Sequence, residues 1–188
     1  MKSIFCVLFL NSVVVAAHAV EYSVVQAEKS SIQFQSKQMG VTIAGKFPKF
    51  STQLNFDPAK PEAAKVNMSI DIESIDAGSK DANDEVVGKQ WFNARAFPAA
   101  TFTSTGVKSL GGGRYEVAGV LTIKGKSMPA VAPLNYKADG TNGVFSGTFT
   151  IKRLDYAIGE GAWADISTVA NEVLINFNVV VAPAAKTK

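Results

Sequence analysis

The chain has 188 residues, with 19 Lys and Arg against 16 Asp and Glu and a net charge of +3 at neutral pH. This length fits one domain whose core is large enough to fold without disulfides. The two signs are too evenly balanced to indicate a groove that binds nucleic acid.

The first nineteen residues have the pattern of a secretory signal. Lys2 supplies a positive start, residues 4–17 form an apolar run without charge, and Ala17 and Ala19 flank a small-x-small cleavage site. We therefore expect export of the protein, with the mature chain beginning at Val20. The apolar run is too short for a comfortable membrane span, and no other stretch of the sequence is long and apolar enough to cross a bilayer.

Alternation with a period of two dominates the remaining sequence and predicts β-strands, because apolar residues two apart lie on one face of a strand. Turn-forming residues punctuate the pattern at Gly40, Asp57-Pro58, Gly111-Gly112-Gly113 and Asp139-Gly140. Short strands at this spacing indicate a sandwich or a barrel. The predicted apolar faces are Ile32/Phe34, Leu54/Phe56, Met68/Ile70/Ile72, Tyr115/Val117/Leu121/Ile123, Phe145/Phe149/Ile151 and Val173/Ile175/Phe177/Val179/Val181.

One segment breaks this alternation. Ser79 is a suitable helix cap, and the acidic residues that follow it suit the positive end of a helix dipole. We predict a short helix from Lys80 to Gly88, followed by the aromatic pair Trp91-Phe92. A single helix in an all-β protein usually covers an open end or a sheet edge.

The inventory of reactive side chains argues against catalysis. The only cysteine, Cys6, and the only histidine, His18, both lie in the predicted signal. The mature chain then lacks the residues of the usual nucleophile–base pairs and soft-metal sites. We therefore predict that the protein is not an enzyme and has no metal site and no cofactor, apart from a bound lipid.

A group of carboxylates is the main alternative, either as a calcium loop or as the acid and base of an enzyme. Its spacing lacks the glycine and the regular order of oxygen ligands found in calcium loops. No two members stand out as the acid and base of a glycosidase. The group comprises Asp71, Glu73, Asp76, Asp81, Asp84 and Glu85.

Aromatic residues are more abundant than a plain β core of this size requires. Ten of the twelve Phe, all four Tyr and both Trp lie after the predicted signal. An eight-stranded barrel has an interior just wide enough to be filled by side chains or to hold one small ligand. Periodicity alone leaves both alternatives open, and any one Phe can be ordinary core.

Several segments, in order, resemble the YceI-like, polyisoprenoid-binding family. The resemblance covers Tyr22 to Val181, and ordered agreement of several motifs is more specific than any single motif. The similar segments are Met39 to Phe47, Leu54 to Pro58, Gln90 to Ser104, Gly119 to Gly125, Arg153 to Gly159 and Val173 to Val179.

The resemblance implies an extended, lipocalin-like barrel of eight antiparallel strands with a helical cover. It also implies a periplasmic location and an elongated interior for a polyisoprenoid chain, such as the tail of a quinone or of a prenyl diphosphate. The domain is expected over residues 20–182, with residues 183–188 as a disordered tail. We expect a monomer or a homodimer that makes transient contact with a membrane and none with nucleic acid.

Candidate ligand contacts follow from the strand faces and the charges. Trp91, Phe92 and Phe97 are expected at the rim, because such aromatics suit a boundary between apolar surface and water. Arg153, and secondly Arg95, are candidates for holding a head group, since an arginine fork pairs well with phosphate oxygens. A structural role is the alternative for both arginines. The candidate wall residues are Phe34, Phe56, Met68, Phe102, Leu121, Phe149 and Phe177.

Two other functions remain open from the sequence. The barrel can be filled by its own side chains and act as an extracytoplasmic interaction or stress-response module. It can also be a lipid hydrolase or isomerase, which would need a buried acidic residue with a strongly raised pKa beside the tunnel.

Overall fold

A computed structural model describes residues 20–184, so the predicted signal lies outside the described residues. More than half of the described residues lie in β-strands, and the rest of the regular structure is one α-helix and five short 3-10 helices. The strands are β1 (Tyr22–Val25), β2 (Ser31–Gln38), β3 (Val41–Lys46), β4 (Phe50–Asn55), β5 (Lys65–Asp71), β6 (Ala99–Gly111), β7 (Arg114–Ile123), β8 (Lys126–Asp139), β9 (Asn142–Lys152) and β10 (Glu172–Pro183). The helix is α1 (Lys80–Val86), and the 3-10 helices are Ala27–Lys29, Pro61–Ala63, Ile72–Ser74, Arg153–Tyr156 and Gly161–Ala164.

The strands form one antiparallel sheet in the order β3-β2-β10-β9-β8-β7-β6-β5-β4, with β1 pairing to β10. The sheet curls until its two ends approach. At one end of the barrel Tyr22 bridges Phe56, with mutual backbone hydrogen bonds of 2.8 and 3.1 Å. The prediction of a barrel with a helical cover is confirmed, but the strand number of eight is corrected to ten.

Residues of the predicted turns connect neighbouring strands. The β2–β3 turn is formed by Met39 and Gly40, both with positive φ, at 48° and 79°. Gly111, Gly112 and Gly113 carry the β6–β7 turn, also with positive φ. Glycine adopts this conformation without steric cost, which explains why these positions punctuate the sequence.

The interior of the barrel divides into two clusters along its length. The first surrounds Ile32, Ile72, Leu121 and Ile158, and the second surrounds Phe56. Met68 and Phe177 pack against both clusters, and so lie at the boundary between them. We call the end that contains the first cluster the open half and the end that contains the second cluster the plugged half. The plugged half contains Tyr22, Leu54, Phe56, Ala64, Tyr115, Phe145, Val179 and Val181.

Strands β8 and β9 pair only in the plugged half, from Leu134–Gly147 to the hairpin turn. Further toward the open half the two strands separate, while β8 stays paired with β7. The Tyr136 N–H donates to the Gly113 carbonyl on the β7 side. Because backbone nitrogens point alternately to the two sides of a strand, the nitrogens of Pro129 and Pro133 point toward β9. Proline has no N–H to donate, and it therefore leaves this edge of β8 without a β9 partner.

The paired chain extends beyond the predicted domain end at residue 182. Strand β10 continues to Pro183, and the Ala184 N–H donates to the Glu21 carbonyl at 2.7 Å. Residues 183 and 184 therefore do not belong to the predicted disordered tail. Within residues 20–184, no helix is long and apolar enough to cross a membrane.

Candidate functional site

The open half of the barrel contains a cavity of about 350 Å³. This volume lies near the lower end of the range of roughly 300–1,000 Å³ typical of small-molecule sites. Most lining side chains are aliphatic, and among all 26 lining residues only Glu85 and Arg153 carry charge. Nine isoleucines contribute to the wall: Ile32, Ile43, Ile70, Ile72, Ile75, Ile123, Ile151, Ile158 and Ile175.

Aromatic packing closes the barrel at the plugged half. Phe56 is 2% exposed, and its ring meets Tyr115 and Phe145 edge-on at 5.6 and 4.9 Å between centroids. Tyr136 lies 5.2 Å from both Phe56 and Phe145, and its hydroxyl donates to the Tyr22 hydroxyl at 3.1 Å. None of these residues lines the cavity, so the cavity does not extend into the plugged half.

Burial raises the pKa of the Tyr136 hydroxyl, and its hydrogen bond with Tyr22 adds to the effect. A raised pKa keeps the phenol neutral, so the plug holds no charge at this position near neutral pH.

Helix α1 and the segment after it cover the other end of the cavity. The helix begins as predicted, with the Ser79 hydroxyl accepting from the Ala82 N–H at 3.2 Å. Its observed end at Val86 is two residues before the predicted Gly88. The Gln90 carbonyl accepts from the backbone N–H groups of residues 159 and 160, at 2.9 and 2.8 Å. The cover is thus tied to the segment that follows β9.

Two tryptophans and one carboxylate join the two covering segments. Glu85 Oε1 accepts from Trp91 Nε1 at 3.2 Å and from Trp163 Nε1 at 2.9 Å. The two indole rings lie 5.4 Å apart, and all three residues line the cavity. Glu85 therefore fixes the position of both rings over the cavity.

Arg153 is 1% exposed, and its guanidinium donates hydrogen bonds to backbone carbonyls. Its Nε donates to the Ala170 carbonyl, and its two terminal nitrogens donate to four more carbonyls, at distances from 2.7 to 3.1 Å. A guanidinium has five N–H donors, so all of them are engaged. The guanidinium also lies 5.8 Å from the centroid of the Trp91 ring. The expected role of Arg153 as a donor to a phosphate is therefore corrected to a structural one.

The other charged side chains near this end of the barrel do not line the cavity. Arg95 is exposed on the covering segment and does not line the cavity. Lys124, on the β7–β8 turn, donates to the Ala157 carbonyl at 2.7 Å and to Glu160 at 2.8 Å. This hydrogen bond from Lys124 lowers the pKa of the Glu160 carboxyl. Both groups therefore have a partner outside the cavity.

Strand β2 places two polar side chains on the cavity wall. Ser36 and Gln38 lie on the same face of β2 as Ile32 and Phe34, and all four line the cavity. The Ser36 hydroxyl is buried and has no hydrogen-bond partner within the described residues. A buried hydroxyl of this kind is available to a polar atom of a ligand.

Three of the candidate wall phenylalanines lie over glycines of the neighbouring strand. A Cβ added to Gly119 would stand 2.4 Å from the Phe102 ring, and one added to Gly147 would stand 2.5 Å from the Phe177 ring. The Phe34 ring approaches Gly45 in the same way, at 2.3 Å. Because these rings lie against the sheet, they thicken the wall without crossing the centre of the barrel.

The candidate contacts divide into two groups. Phe34, Trp91, Phe92, Leu121, Phe149 and Arg153 line the cavity. Met68, Phe102 and Phe177 do not line the cavity but pack against the buried cluster around it, and Phe56 belongs to the plug. Phe97 is not at the rim, because its ring lies against Gly125 of the β7–β8 turn. As ligand contacts, the five apolar residues of the first group stay predictions, whereas Arg153 is engaged by the backbone.

Sequence reasoning missed Trp163, Ser36 and Gln38, and it named none of the nine isoleucines as wall residues. The polar pair had a detectable signal, since alternation from Ile32 already places Ser36 and Gln38 on the inward face. Trp163 had none, because its contact with Glu85 joins positions 78 residues apart in the chain.

Within residues 20–184, no group of His, Cys, Asp and Glu is arranged to hold a metal ion.

Solved structures share this architecture. The crystal structure of Burkholderia cenocepacia BcnA superposes with a TM-score of 0.81 at 44% identity, over 83% of this chain and 98% of that one. The Campylobacter jejuni YCEI protein superposes with a TM-score of 0.69 at 24% identity, over 76% and 85%. A polyisoprenoid binding domain from Saccharophagus degradans, implicated in plant cell wall breakdown, gives 0.68 at 17% identity, over 88% and 99%. The last two likenesses concern the fold alone.

Sequence comparison gives the same assignment. A UPF0312 protein of Shewanella baltica (strain OS195) is 30% identical over 167 residues, covering 84% of this chain and 87% of the relative. A UPF0312 protein of Ectopseudomonas mendocina is 29% identical over 168 residues, covering 84% and 88%. The YceI-like domain matches residues 22–181, nearly the whole described chain. With its ten-stranded barrel and its covered apolar cavity, the chain belongs to the YceI-like family.

Proposed function

We propose that the protein binds a long-chain isoprenoid lipid in the cavity of the open half and carries it in the periplasm without changing it chemically. The observation that carries the proposal is a partly open space of about 350 Å³ with an almost uncharged, mainly aliphatic wall. Apolar space that side chains leave empty forfeits packing contacts, so a hydrocarbon ligand would stabilise it.

The relatives support an isoprenoid as the ligand. The Saccharophagus degradans structure, which shares this fold, is described as a polyisoprenoid binding domain. Each methylene group moved from water into such a cavity contributes about 0.8 kcal/mol before ordering costs. A few isoprene units are therefore enough for stable binding without any charged contact.

The plug determines how the chain enters. Because the aromatic cluster around Phe56 closes the far end, the hydrocarbon tail enters from the covered mouth and points toward the plug. Ser36 and Gln38 line the cavity on the last residues of β2, beside the mouth. The polar head group of the lipid therefore lies near these two side chains.

The head group is uncharged in this proposal. Of the charged lining residues, Arg153 has all its donors engaged, and Glu85 presents a carboxylate that repels an anion. A quinone or alcohol oxygen can instead accept a hydrogen bond from the Ser36 hydroxyl. A quinone-type lipid therefore fits the mouth better than a prenyl diphosphate.

Organic extraction followed by mass spectrometry tests the proposal. Protein purified from a host that makes isoprenoid lipids should release about one such lipid per chain. The variant Ile151→Trp fills the cavity and should lose the lipid. Thr150→Trp, on the outer face of the same strand, is the matched control and should retain it.

Two results would contradict the proposal. If wild-type protein repeatedly yields no lipid, the barrel is the ligand-free module that the sequence left open. If Ile151→Trp and Thr150→Trp carry the same amount of lipid, the ligand lies outside the cavity. A direct comparison of a prenyl alcohol with its diphosphate tests the head group, and the alcohol should bind more tightly.

A further inference from the structure

Three large apolar side chains stand in solvent at the mouth of the cavity. Met39 is 73% exposed, Val41 is 64% exposed and Ile166 is 61% exposed. The first two flank Gly40 at the β2–β3 turn, and the third lies on the loop between β9 and β10. The Met39 N–H donates to the Thr168 carbonyl at 2.8 Å, which holds the two segments together. We call these three residues the mouth patch.

The mouth patch continues the lining of the cavity. Val41 lies on the same face of β3 as Ile43, because residues two apart on a strand share a face. Ile43 lines the cavity, and so do Gln38 and Val169, which bridge the two segments. Apolar surface therefore extends from the cavity wall to the exposed Val41 side chain.

Met39 has an unfavourable backbone conformation for its residue type. Its φ of 48° precedes a Gly40 φ of 79°. Two-residue hairpin turns with positive φ at both positions favour Asn or Asp before Gly. Met39 is 73% exposed, so neither turn preference nor burial in the core accounts for a methionine at this position.

We propose that the mouth patch docks transiently on the surface of a lipid bilayer, with the cavity mouth facing the membrane. A stable protein partner needs about 800 Å² of buried surface on each side, which three side chains do not provide. A bilayer accepts separate apolar side chains, each of which contributes by itself.

The charges around the mouth patch leave the apolar contact dominant. Lys37 is exposed beside the β2–β3 turn and suits lipid phosphates. Asp165 precedes Ile166, and its carboxylate accepts from the Ser167 N–H at 2.8 Å and from the Ser167 hydroxyl at 2.7 Å. These bonds hold the loop that presents Ile166. One lysine beside one carboxylate gives little net attraction to anionic lipid, so binding depends chiefly on the apolar side chains.

Flotation with phosphatidylcholine vesicles tests the docking. Met39→Asn and Ile166→Ser should each reduce the fraction of protein that floats, with a loss of about tenfold in the partition coefficient. Met39→Asn should also keep or raise the thermal midpoint, because Asn-Gly suits this turn. Val131→Ser is the matched control: Val131 is 56% exposed on β8, outside the mouth patch, and its loss should leave flotation unchanged.

Three outcomes would overturn the docking proposal. The first is a wild-type protein that does not float. The second is equal flotation of Met39→Asn, Ile166→Ser and wild type, or an equal loss in Val131→Ser. The third is binding that requires phosphatidylglycerol and disappears in high salt. Flotation needs no ligand in the cavity, so these outcomes are independent of what organic extraction recovers.

Discussion

The two halves of the barrel are built from the same strands but have different interiors. In the plugged half, Phe56, Tyr115 and Phe145 meet across the centre of the barrel and fill it. In the open half, Phe34 and Phe102 lie against glycines of the neighbouring strands. The difference shows that aromatic content alone does not decide whether a barrel is hollow. The groups that face each ring decide it, and substitutions in the two halves test this difference.

The largest effect is expected in the plug. Phe56→Ala removes a ring that is 2% exposed and should lower the free energy of unfolding by about 3–5 kcal/mol. Phe149→Ala removes a half-buried ring from the cavity wall and should cost less than half as much. Urea denaturation of both variants checks the comparison. Equal losses would show that the two halves are packed to the same degree.

Arg153→Lys should have the next largest effect. A lysine offers three N–H donors where the guanidinium offers five, so two or more carbonyls lose their partner. We expect a loss of about 3 kcal/mol in unfolding free energy. Affinity for a prenyl diphosphate and for the corresponding alcohol should fall equally in an equilibrium binding assay. A selective loss for the diphosphate would restore Arg153 as a head-group contact.

A smaller effect is expected where a ring lies over a glycine. In Gly119→Ala the new methyl group would stand 2.5 Å from the Thr103 carbonyl and 2.4 Å from the Phe102 ring. Displacing both should cost about 1–3 kcal/mol and move the ring toward the cavity. Lipid content per chain, measured after extraction, should fall as well. Gly140→Ala is the control for added volume, because a Cβ there meets nothing within 4 Å, although its positive φ carries a strain of its own.

The smallest effect concerns pH. The folded protein raises the pKa of Tyr136 above its ordinary value of 10.0, so the neutral phenol is favoured in the native state. Its stabilising contribution is complete below about pH 10 and is lost as the pH rises above that value, with a slope of at most about 1.4 kcal/mol per pH unit. Urea denaturation between pH 9 and roughly pH 11 should show this decline, and Tyr136→Phe should reduce it. An unchanged slope in Tyr136→Phe would assign the decline to other groups, such as Tyr156, whose pKa burial also raises.

Much of the fold could be predicted from local patterns. Alternation identified the apolar faces of the strands, glycines located the turns, and Ser79 located the start of α1. The position of the cavity could not be predicted in this way. Phe56 and Phe149 have the same alternating neighbours in sequence, and only the sheet brings Tyr115 and Tyr136 to one of them.

The role of Arg153 was also beyond local pattern. Its positive charge suggested that it binds an anionic head group, whereas its partners are five backbone carbonyls of residues 158–170. Which atoms surround a buried side chain depends on how a loop returns to it, and no periodicity records that path. The strand number of eight was implied by the family resemblance, and periodicity could not correct it fully, since the four-residue β1 is too short to show alternation.

The five bonds of Arg153 have a consequence for durability. Many small domains fasten their loops with a disulfide or a metal ion, and either can be removed by a reductant or a chelator. Here the Arg153 side chain fastens the loop over the apolar chamber through five hydrogen bonds to backbone carbonyls, which neither a reductant nor a chelator removes. We therefore expect the roof of the chamber to keep its shape in thiol-rich and metal-poor surroundings alike.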